Sequence, residues 1–96
     1  MAHARVSFYQ ASDPDRAARA FEGAVSPVQE MQGNRGGLFL IDRNNNKAIT
    51  ITLWEDEDSL KASAEQANQV RQSAADSGGL DIQGVESYEI AVEFGR

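Results

Sequence analysis

Residues 4–10 alternate, with Val6 and Phe8 on one side of an extended chain and Arg5, Ser7 and Tyr9 on the other. That period of two predicts a half-buried strand. The period then lengthens. Over residues 14–33, Ala17, Phe21, Ala24, Val25, Val28 and Met31 recur at helical spacing and form one apolar stripe. Asp13 can cap the first free N–H groups, Pro14 suits the first helical position, and Asp15 meets the positive end of the dipole. Pro27 removes a hydrogen bond within the stripe, which predicts a kink or break near residues 25–26, and Gly33 is the expected stop.

Residues 36–55 read as a hairpin, two β-rich runs around Asn44, Asn45 and Asn46. Asparagine tolerates the positive φ that a tight hairpin demands. In the second arm Ile49, Ile51 and Leu53 point one way, and Thr50, Thr52 and Trp54 the other. A second helix is expected over residues 56–79, capped by Asp56, facing inward through Leu60, Ala64, Ala67, Val70 and Ala74, and stopped by Gly78 and Gly79. Most of that inner face is alanine, so the helix can lie close to the sheet or leave a gap over it. Residues 85–94 close the chain as a strand, with Tyr88, Ile90, Val92 and Phe94 on one face and Ser87, Glu89 and Glu93 on the other.

The order βαββαβ predicts an α+β, ferredoxin-like fold in one domain over residues 1–96. Right-handed crossovers and the hairpin favour a four-stranded antiparallel sheet in the order 4-1-3-2 with both helices on one face. The helix-covered face is expected to be the apolar one, made of Val6, Phe8, Ile49, Ile51, Leu53, Ile90 and Val92. The other then carries Arg5, Ser7, Tyr9, Thr50, Thr52, Trp54 and Glu89. It is too polar for a dry core and too aromatic for plain solvent surface. Such a face suits packing against a second copy, or lining a cavity.

Composition narrows the partners. A net charge of −6 opposes nucleic acid, whose phosphates need clustered Lys and Arg, and it opposes an anionic membrane surface. The absence of cysteine removes disulfides, thiolate catalysis and cysteine-ligated zinc. The first ten residues lack the apolar core of a signal peptide, and no run approaches the roughly 18 apolar residues of a membrane span. A soluble, cytoplasmic protein is expected. A domain of this length buries only roughly 60–65% of its unfolded surface, so pairing into a homodimer would help it.

The candidate chemistry is sparse. His3 is the only histidine and lies beside the N-terminus, so neither a zinc site nor a Ser-His-Asp triad is expected. The acids of residues 55–59 lack the glycine and terminal glutamate of a calcium loop and read as a solvated helix start. Residues 33–37, GNRGG, lack the Walker pattern and a following helix, and read as a turn. Tyr9 and Tyr88 can donate or pass a proton but need help to act as bases. Arg5 could steady an anion, although pairing with Glu89 across neighbouring strands is its expected use.

The stretch ITLWEDEDSLKAS, residues 51–63, together with the hairpin leading into it, resembles the antibiotic biosynthesis monooxygenase-like group of the dimeric α/β-barrel superfamily. The resemblance covers nearly the whole chain as element order. It implies two sheets paired into a barrel across a two-fold axis, and activities that range from cofactor-independent oxygenation of aromatic polyketides or quinols to haem degradation. Of the haem-degrading branch's site residues only the tryptophan, Trp54, carries over. Ser7 lies near that branch's first-strand asparagine, and the second-helix region reads KASAEQA where its iron-ligating histidine would fall. No cofactor and no metal are therefore expected. The resemblance and the semi-polar face together give Trp54, Thr52, Ser7, Tyr9 and Arg5 as pocket candidates for a small aromatic or quinone-like molecule. The alternative is a non-catalytic dimeric binding or structural module of the same fold, in which Trp54 is a packing anchor.

Overall fold

A computed structural model describes residues 1–95 of the chain. The elements run β1 (His3–Ala11), α1 (Pro14–Gln29), β2 (Asn34–Asp42), β3 (Lys47–Trp54), α2 (Glu57–Ala62), α3 (Ala64–Gly78) and β4 (Leu80–Glu89). The strands form one antiparallel sheet in the order β2-β3-β1-β4. This is a ferredoxin-like arrangement. The sheet is open, with β2 and β4 as free edges, and does not close into the barrel that the sequence resemblance implied.

Local chemistry explains the element ends. The Asp13 side chain accepts from the Arg16 N–H and Pro14 opens α1. No break occurs at residues 25–26: α1 stays helical through Pro27, which lies close enough to its end to disturb few intrahelical bonds. Gly33 does not end the helix itself. It lies in the turn beyond, at φ 84°, where its own Cβ would collide with Ser59 of α2. Asn46 takes φ 53° in the hairpin turn. Gly79 adopts the left-handed conformation (φ 63°) and turns α3 directly into β4.

Two expectations shift along the chain. The second helix divides at Ser63 into α2 and α3, which rotates the inward stripe: Arg71, Ala74, Ala75 and Gly78 are buried, while Ala64 is exposed. The last strand starts earlier and ends earlier than residues 85–94. Its register slips by one residue between Phe8 and Tyr9 of β1, so Ile82 and Val85 both share the helix-covered side. Beyond Glu89 the chain leaves the sheet, with Ile90 bonded to Ala2, and Val92 and Phe94 lie exposed.

The largest correction concerns the faces. The helices cover the semi-polar face, and the apolar side holding Val6, Phe8, Ile49, Ile51 and Leu53 is open, continued by Leu38 and Leu40 at 57% and 43% exposure. The alanine-rich inner surface of α3 provides the reason. It leaves depth above the sheet that Arg5, Tyr9, Trp54 and Arg71 fill. Each of these four side chains finds a hydrogen-bond partner there, and among the described residues no fully buried side-chain nitrogen or oxygen goes unpaired.

Candidate functional site

Between sheet and helices the core divides into two clusters. Tyr9, Phe21, Ala48, Ala75 and Leu80 pack at one end, with the Tyr9 and Phe21 rings 5.5 Å apart. Met31, Trp54 and Leu60 pack at the other, flanked by Val28, Ala67 and Val70. A cavity of about 40 Å³ lies where the clusters meet. Arg5, Ser7, Tyr9, Thr52 and Trp54 all line it. The five pocket candidates of the sequence therefore converge, on the opposite face from the one expected to be dry.

Trp54 is fully buried and donates its indole N–H to Thr52 Oγ1 at 3.0 Å. Register places Arg5 opposite Thr52, and its guanidinium lies 5.4 Å from the indole centroid. Arg5 does not pair with Glu89. Its neighbour on β4 is Ser87, and its guanidinium donates inward, to the Leu60 carbonyl at 2.6 Å and Ser63 Oγ at 3.3 Å. The division between α2 and α3 makes this possible, because it frees the Leu60 carbonyl at the negative end of α2. Tyr9 Oη and Thr50 Oγ1 are 3.1 Å apart.

The residue that sequence reading missed is Arg71. It belongs to α3, lines the cavity, and donates from Nε to Ser7 Oγ at 3.0 Å and from Nη1 to Asn68 Oδ1. Four positions after Ala67 and four before Ala75, it lies on the inward stripe, but a stripe read from apolar residues alone passes over an arginine. Burial, and next the charge of Arg71, hold the Arg5 guanidinium below its usual basicity. Among the described residues neither arginine forms an ion pair with a carboxylate.

Among the described residues, none that lines the cavity is a histidine or carries a carboxylate. Elsewhere, among the described residues, no three His, Cys, Asp or Glu side chains gather where they could hold a metal ion. His3 is less exposed than its terminal position suggested, with Nδ1 3.0 Å from the Met1 carbonyl and Nε2 3.9 Å from Glu57. The acids of residues 55–59 serve the helix start: Asp56 accepts from the Ser59 N–H at 2.8 Å, and that backbone bond holds its carboxyl below the usual range.

A second cleft, of about 200 Å³, adjoins the cavity between α1 and β2. Val28, Phe39 and Thr52 line both spaces and form the partition between them. The edge strand β2 is irregular at this point, its register slipping between Asn34 and Gly37.

No family model matches the chain, and no curated protein matches it. Solved structures do. SnoaB, a cofactor-independent oxygenase from Streptomyces nogalater, aligns at TM-score 0.77 with 12% identity, over 99% of this chain and 98% of that one. A candidate antibiotic biosynthesis monooxygenase from Chloroflexus aurantiacus aligns at TM-score 0.67 with 14% identity, over 99% and 98%. A conserved Bacteroides thetaiotaomicron protein of unknown function aligns at TM-score 0.72 with 12% identity, over 93% and 97%. At these identities the likeness is one of fold: the chain has the fold of the antibiotic biosynthesis monooxygenase-like structures.

Proposed function

We propose that the chain is a cytoplasmic, cofactor-independent monooxygenase-like protein that holds a small aromatic or quinone-like molecule against Trp54. The observation that carries this reading is the convergence of Arg5, Ser7, Tyr9, Thr52 and Trp54 on one cavity beneath the helices. In it the indole stacks on the ring, Tyr9 or Ser7 hydrogen-bonds an oxygen of the ligand, and Arg5 balances developing negative charge. An anthrone illustrates the chemistry. Its enolate supplies the electrons, O₂ adds at the ring carbon to give a hydroperoxide, and loss of water leaves a carbonyl. The protein contributes orientation and exclusion of water.

Size sets a condition on this reading. A cavity of about 40 Å³ holds roughly three waters, and pockets for drug-sized ligands span roughly 300–1,000 Å³. An aromatic ring therefore enters only as Val28 and Phe39 move and the inner cavity joins the α1–β2 cleft. The lack of a histidine or carboxylate base among the described lining residues favours the second reading, binding without turnover.

Oxygen uptake with anthrone separates the two. Consumption above the buffer rate, reduced by Trp54→Phe, supports the oxygenase. Saturable anthrone binding with uptake at the buffer rate removes turnover and leaves a binding protein. The open apolar side of the sheet is, on the same reading, where a second copy of the chain packs.

A further inference from the structure

Two buried guanidiniums share the wall of one cavity without a counter-charge. Arg5 is 6% exposed and Arg71 9%, and among the described residues neither has an anionic partner. Removing a charge from water is costly unless it is paired. Hydrogen bonds to the Leu60 carbonyl, Ser63, Ser7 and Asn68 satisfy part of each fork and supply no negative charge. Arg5 Nε and Arg71 Nη2 make no hydrogen bond among the described residues, and both arginines line the cavity. Such a site is built for an anion.

We infer that the cavity takes a carboxylate, shared between Arg5 and Arg71, carried on an aromatic ring that extends toward the cleft between α1 and β2. A carboxylate presents two coplanar oxygens that match guanidinium forks. Its small head fits the inner cavity, while the cleft beyond Val28 and Phe39 is apolar enough for a ring. The inference rests on the pocket reading above and narrows it from neutral aromatics to aromatic carboxylates. It does not depend on any reaction with O₂.

Calorimetric titration of the full chain with benzoate and with its neutral isostere benzamide tests this directly. Benzoate should saturate at one equivalent per chain, with benzamide at least tenfold weaker. Arg71→Met should lower benzoate affinity at least tenfold and benzamide affinity far less, and benzoate should raise the melting temperature of the wild type but not of the variant. Arg71→Lys, which keeps the charge and loses the fork, should fall between. Equal affinities for benzoate and benzamide in the wild type would overturn the inference, and that comparison needs no variant to fold. So would anthrone binding saturably where benzoate does not, an outcome that spares the pocket. Benzoate binding together with oxygen uptake at the buffer rate in the anthrone assay would support the anion site while removing the oxygenase.

Discussion

Trp54 combines two demands on one side chain. Its ring is sealed from solvent and packed by Met31 and Leu60, yet one side of it borders the cavity. Truncation to Trp54→Ala should cost about 3–5 kcal/mol in urea unfolding, as deletion of a large buried aromatic does. Trp54→Phe should still fold, losing the bond to Thr52, and should bind aromatic ligands more weakly. A Phe variant with undiminished affinity would make the indole an anchor and nothing more. At this scale the sequence was readable where alternation sorted β1 and β3, because residues sharing a strand face must meet. Arg71 was not readable in the same way. A buried arginine and a solvated one look alike in a helical stripe, and only the depth left by neighbouring alanines distinguishes them.

Among the elements, α2 and the turn before β2 depend on each other. Asp56 caps α2 through the Ser59 N–H, and its carboxyl is more acidic in the folded chain than in the unfolded one. Its contribution is therefore complete above the unfolded pKa, near 3.9, and is lost as pH falls through the lower folded value. The melting-temperature gap between wild type and Asp56→Ala should narrow from about pH 5 downward. A gap that widens on acidification would contradict the assignment. Gly33 faces the same turn of α2 from the other side, at a φ that side chains resist and with Ser59 in the way of a Cβ. Gly33→Ala should lower stability by more than the roughly 1 kcal/mol of a left-handed alanine alone, measured by thermal unfolding.

The caps at Asp13 and Asp56 and the Asn46 turn were legible because each is a local contest between a side chain and a few backbone groups. The division at Ser63 and the early start of β4 were not. Both are set by tertiary fit: the Leu60 carbonyl is claimed by Arg5, and the slip opposite Phe8 interrupts the alternation that marks a strand.

For the molecule as a whole, sequence polarity pointed the sheet the wrong way round. Polar residues were assigned outward because burying them costs energy, and hydrogen bonds of Arg5, Ser7, Tyr9, Thr50, Thr52, Trp54 and Arg71 with neighbouring groups offset part of that cost. The apolar face left open holds Val6, Phe8, Leu38, Leu40, Ile49 and Ile51, beside unpaired strand edges at β2 and β4. Surfaces of this kind associate unless charge blunts them. Light scattering at micromolar concentration should give twice the 10.4 kDa chain mass. A monomer there would mean that this face meets no second copy. Among the described residues no helix is long and apolar enough to cross a membrane.

The central claim is that ligands enter beneath the helices, beside the only tryptophan. It is tested most directly by an amide-proton NMR titration of nitrogen-15-labelled chain with 2-naphthoate, following the single indole N–H signal. The account predicts that this signal and the Arg71 Nε–H shift together and saturably, while the backbone signals of Leu38 and Leu40 on the open face stay in place. A stationary indole signal, with shifts confined to the open face, would contradict it.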